Sequence, residues 1–86
     1  MPEQATAIII DTETTSVENP EIIELAWGKY SLKEPLVDVQ SRLYCPRGPI
    51  TFGAMATHHI LPEDLAGLPE WAGYVPCATY HIGHNV

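Results

Sequence analysis

Asp11-Thr12-Glu13 is the stretch whose residue types and spacing point most directly to chemistry. A short apolar, β-branched run, Thr6 to Asp11, leads into it and reads as a buried strand. Alternation along such a strand puts Asp11 and Glu13 on one face, with Cα atoms roughly 6–7 Å apart. Two carboxylates that close repel each other unless a cation lies between them. Oxygen-only donors suit Mg²⁺ or Mn²⁺ better than zinc. The alternative is a solvated strand end carrying two acids, and three residues alone do not choose between the two.

The histidines raise a second metal question. Cys77, His81 and His84 have a C-x3-H-x2-H spacing, but structural zinc needs four convergent ligands and no fourth stands beside these three. On a strand over 79–83, His81 would point to one face and His84 to the other or beyond its end. The neighbouring His58 and His59 read as one packed and one exposed ring. Trp27 reads as core, in line with the burial tendency of large aromatics.

Positioning these groups requires a sheet. Glu18-Asn19-Pro20 is turn chemistry, and Glu21 to Tyr30 then reads as a strand with Gly28 at a bulge. Leu36 to Cys45 alternates with a period of two, the pattern of a half-solvated strand. Pro46, Gly48 and Pro49 end it. Thr51 to His59 predicts a short helix with Thr51 as its N-cap. Pro62 to Leu65 predicts a second helix start, with acids in the first turn and Gly67 and Pro69 stopping it. Glu70 to Tyr74 reads as one more turn, and Thr79 to Gly83 as a fourth strand. The order β-β-β-α-β implies an α+β or mixed α/β sheet.

Eighty-six residues make one small domain with a small core. Apolar residues at 45% and charged residues at 17% are a globular composition, neither disordered nor fibrous. Four Lys and Arg against eleven Asp and Glu give a net charge of −7, which opposes unaided binding to a phosphate backbone. Bound cations would invert that local charge. The longest aliphatic run, Ala7 to Ile10, falls far short of a membrane span, and no signal-peptide pattern follows Met1. The expectation is a soluble, cytoplasmic chain with no membrane partner, its two cysteines present as reduced thiols.

DTETTS at 11–16, IIELA at 22–26, AMATHHI at 54–60 and HN at 84–85 occur in an order that resembles the DEDDh 3′–5′ exonucleases. Within them the chain looks closest to the exonuclease X and DNA polymerase III epsilon-subunit type. The resemblance implies an α/β, RNase H-like fold with three antiparallel strands, short helices and a fourth strand parallel to the first. It implies two Mg²⁺ or Mn²⁺ ions, with Asp11 and Glu13 as catalytic metal ligands and Asp11 bridging both ions. Thr12 and Thr14 would bring backbone or hydroxyl groups to the terminal sugar. His58 and Ile60 would lie against the last bases, and Asn85 would face the substrate strand. Glu24 matches the family's IIE segment and reads as supporting structure.

Three departures qualify the match. Ser16 stands where the family has Gly, and Leu61 replaces a Thr before Pro62, removing an N-cap. The family's second motif continues from His-Asn to an Asp, and its third supplies a His-x4-Asp. Neither lies within residues 1–86, which therefore read as the N-terminal portion of one exonuclease domain. The expected activity is hydrolysis at a 3′ end of DNA, the partner being single-stranded DNA or a 3′ end, with RNA as the alternative substrate. The chain by itself is expected to be inactive. The competing expectation is a non-catalytic module that binds a nucleic-acid end or a protein, and a homodimer is consistent with either.

Overall fold

The computed structural model describes residues 7–30, 37–78 and 80–84, with His84 described by its backbone alone. The apolar run at the start forms β1 (Ala7–Thr14), in which buried Ile8, Ile10 and Thr12 alternate with half-buried Ile9, Asp11 and Glu13. β1 runs three residues past the apolar run because β2 (Ile22–Tyr30) pairs antiparallel with it along its whole length. β3 (Val37–Leu43) pairs antiparallel with β2, and β4 (Tyr80–His84) pairs parallel with β1. The sheet order is β3-β2-β1-β4, so the carboxylate-bearing strand is internal.

Two irregularities shape the sheet. Glu13 pairs with Glu24 while Thr14 pairs with Ile22, which leaves Ile23 as an extra residue on β2. On the other side, Trp27 pairs with Gln40 and Lys29 with Val37, so the extra residue lies on β3, where Asp38 has a φ of 53°. The bulge expected at Gly28 thus sits opposite it. Gly28 keeps unbroken register with Ile9, and the edge strand absorbs the slack. The half-solvated reading of β3 is also revised, since residues 38–43 are all exposed, as an edge strand permits.

The bulge divides the core. Ile8, Ile10, Leu25, Trp27 and Tyr44 form one cluster, with Ile22, Trp71 and Ala78 packed against it. Ile23, Ile50 and Leu65 form the other, joined by Cys45, Ala54, Met55 and Ile60. Ile23 and Leu25, two positions apart, therefore serve different clusters while Ile22 joins Leu25, which regular alternation would not produce.

α1 (Phe52–His58) starts as its sequence predicts, with Thr51 Oγ1 accepting the Ala54 N–H at 3.1 Å. It ends at His59, whose φ of 61° is left-handed and whose N–H donates to Met55 O at 2.8 Å. α2 (Pro62–Leu65) has no side-chain cap from Leu61, but Asp64 Oδ2 accepts the Leu61 N–H at 2.9 Å and offsets part of that loss. Residues 70–74 form no helical turn; Trp71 Nε1 instead donates to Tyr74 O at 3.0 Å. Both cysteines are free, as expected.

Candidate functional site

The site is built on the end of β1. Asp11 and Glu13 share a face with Ala26 and Glu24, their cross-strand partners on β2, and Glu13 and Glu24 stand directly opposite each other. The backbone of His84 on β4 is in register with Asp11 from the other side. Three carboxylates thus gather along two adjacent strands. Burial raises the Glu24 carboxyl above the ordinary glutamate range, the charges of Glu13 and then Asp11 raise it further, and His58 opposes them. A carboxylate in that setting is short of positive charge.

The donor set bears on which ion would fit. Asp11, Glu13 and Glu24 offer oxygen only, which matches hard cations such as Mg²⁺ or Mn²⁺. Among the described residues, no three His, Cys, Asp or Glu side chains converge closely enough to hold an ion on their own. The described residues therefore bring three carboxylates to one neighbourhood without completing a ligand set. Cys77 and His81 take part in no such group either, and His81 Nε2 lies 2.8 Å from Pro76 O.

The other sequence-predicted residues fall in four places. Glu13, Thr14 and His58 line one open cavity of about 540 Å³, together with Thr51 and Thr57 of the α1 segment. Thr12 is buried and pairs with Leu25, so it lies on the face opposite Asp11 and Glu13 and offers the site only its backbone. Ile60 is half-buried and packs into the cluster of Ile23, Ile50 and Leu65. Asn85 lies outside the described residues.

Two residues central to the site's scaffold escaped the sequence reading. Thr15, almost fully buried, donates its N–H to Glu21 O at 3.0 Å and accepts the Glu21 N–H on Oγ1 at 3.1 Å. Its carbonyl accepts the Thr51 N–H at 2.9 Å, which ties the start of α1 to the end of β1. Glu21 in turn accepts the N–H groups of Arg47 and Gly48, both at 2.9 Å, and these bonds hold its carboxyl below the ordinary range. The one available signal was position: Thr15 lies in a run of polar residues after an apolar strand, and Glu21 follows a turn proline.

No family model and no curated protein matches the chain. Among solved structures, exonuclease X in complex with 5′ overhanging duplex DNA superposes with a TM-score of 0.80 at 30% sequence identity. The match covers 92% of this chain and 48% of that one, so the chain spans about half the length of the protein it resembles. Internal β1, antiparallel β2 and β3, parallel β4 and few short helices make the fold of this chain exonuclease-like, matching part of an RNase H-like domain.

Proposed function

We propose that this chain carries the Asp11–Glu13 part of a two-metal 3′–5′ exonuclease site acting on DNA. The observation that carries the reading is the pairing of Glu13 with Glu24 beside Asp11 on an internal strand, within a fold that matches exonuclease X. Asp11 and Glu13 would hold the ions, and Glu24 would add negative potential behind them. Paired cations, when bound, stabilise the attacking and leaving oxygens of an in-line displacement at phosphorus. The chain's own residues supply the setting. The Thr12 and Thr14 backbone would border the terminal sugar, and the threonine-lined cavity beside Glu13 offers hydroxyls to a phosphate or sugar. Bound cations also reconcile a net charge of −7 with a phosphate-bearing substrate.

Asp11 and Glu13 without a general base beside them would give little turnover, since base catalysis alone contributes about 10²–10⁴-fold. The expected result for the purified chain is Mn²⁺ binding, read by electron paramagnetic resonance of the free ion, without release of mononucleotides from a 5′-labelled oligonucleotide. Loss of Mn²⁺ binding in Asp11→Ala supports the site. Undiminished binding in that variant overturns it, and metal-dependent trimming by the wild-type chain would show that the catalytic set is more complete than proposed.

A second reading, a non-catalytic module for a nucleic-acid end or a protein, is favoured by one observation: the described residues do not complete a metal cluster. It predicts oligonucleotide binding that is indifferent to Mg²⁺ and to Asp11→Ala.

A further inference from the structure

The imidazole of His58 is engaged at both nitrogens, each time by the main chain. Nε2 lies 3.2 Å from the Thr14 carbonyl oxygen, and Nδ1 accepts the Ile60 N–H at 2.9 Å. That pair of bonds fits the tautomer with its proton on Nε2. The left-handed His59 produces the arrangement, because it closes α1 and turns the chain so that the Ile60 N–H comes back to the ring.

The Thr14 carbonyl is a telling place for such a bond. Thr14 directly follows Glu13, at the point where the β1–β2 register slips around Ile23. A bulge disrupts the ladder locally, so the strand end that carries Glu13 is held less by its neighbour than the rest of β1 is. Thr15 secures the chain beyond it to Glu21 and Thr51, and His58 reaches Thr14 from the α1 side.

We infer that His58 is a positioning residue: through the Thr14 carbonyl it fixes the end of β1, and with it the aim of the Glu13 carboxylate. The assignment rests on the metal reading of Asp11 and Glu13 given above. It is distinct from the direct base contact that the sequence resemblance implies, because it uses the ring nitrogens, whereas stacking on a base uses the ring face.

Two substitutions each copy one half of the ring. In His58→Gln the side-chain amide extends to the Nε2 position and keeps donation to Thr14. In His58→Asn the side-chain oxygen sits near the Nδ1 position and keeps the bond from Ile60. Mn²⁺ titrations of the full chain, with folding checked by circular dichroism, separate them. The Gln variant is expected to bind within about twofold of wild type and the Asn variant about fivefold more weakly, the net effect of one hydrogen bond.

Equal binding by the Asn variant and wild type, or equal loss in both variants, overturns the inference and leaves the metal reading standing. If the wild-type chain binds no Mn²⁺, the metal reading fails and the inference falls with it. Should the Asn variant not fold, ¹⁵N shifts of the wild-type ring decide: a protonated Nε2 and a bare Nδ1 support the assignment, and the reverse tautomer overturns it.

Discussion

Glu21 and Glu24 stand three positions apart at the start of β2, yet their carboxylates have opposite settings. Glu21 meets two backbone N–H donors, from Arg47 and Gly48, and its ionised form is favoured. Glu24 faces Glu13 with Asp11 nearby, is partly desolvated, and its ionised form is disfavoured. The first is an anion whose positive partners come from the protein itself. The second stands among like charges that raise its titration, a setting that a bound cation would relieve. An acid-rich composition says nothing about this difference; what surrounds each carboxylate decides it.

Ile23 lies between the two, and the bulge there sends it to a different cluster from Leu25, with which regular alternation would pack it. It is fully buried, and Ile23→Ala is expected to cost about 2–4 kcal/mol through lost contacts and a cavity. For so small a domain that is a large share of total stability. Urea unfolding measures it. A shift below about 0.5 kcal/mol, the range of an ordinary surface change, would mean that Ile23 does not anchor the cluster with Ile50 and Leu65.

The next effect separates the two regions by function. Asp11→Ala is expected to weaken Mn²⁺ binding by more than about tenfold, the lower range seen even for groups one shell further out. Glu21→Ala is expected to leave Mn²⁺ binding unchanged while lowering the urea midpoint. If both variants lost the ion equally, the contrast between a structural anion and a metal-binding one would collapse.

The pH dependence sharpens the same contrast. The fold raises the Glu24 titration, so stability from this group is present below the ordinary glutamate range and is lost as pH rises through the folded value. The fold lowers the Glu21 titration, so its contribution is present above the ordinary range and is lost as pH falls through the folded value. Glu24→Gln should therefore flatten the decline on the alkaline side of the carboxylate range, and Glu21→Gln the decline on the acid side. Urea midpoints across a pH series test both, and matching slopes in the two variants would contradict the assignment.

The smallest expected change is at Gly48. A Cβ there would lie 3.2 Å from Glu21 Oε2, a carboxylate oxygen already held by the Gly48 N–H. Gly48→Ala is expected to destabilise the chain by no more than about 0.5 kcal/mol, as surface-level changes do. A stabilising result would show that Glu21 has room to move and that its grip on the 47–48 backbone is loose.

Much of the fold was legible because its signals are local. The β-branched run of β1, the Thr51 cap of α1, the proline start of α2 and the order of the strands all rest on near-neighbour chemistry. Asp11 and Glu13 were legible as a pair for the same reason, since period-two alternation places them on one face. Thr12 was half legible in that stretch: the alternation that joins Asp11 to Glu13 turns its side chain into the core and, of backbone and hydroxyl, leaves the backbone toward the site.

What the sequence determined by itself was therefore the strands, the short helices and two carboxylates on one face, because each depends on residues only a few positions apart. Tertiary structure alone decided that Glu24 would stand opposite Glu13, that Glu21 would hold the backbone of residues 47 and 48, and that His58 would reach Thr14. These relations join residues brought together by strand register, and register was set by a bulge that no local pattern marked. One extra residue in β2 changes the phase of everything that precedes it in the strand. That slip put Ile22 with Leu25 and sent Ile23 to the other cluster, the reverse of what alternation along β2 implies.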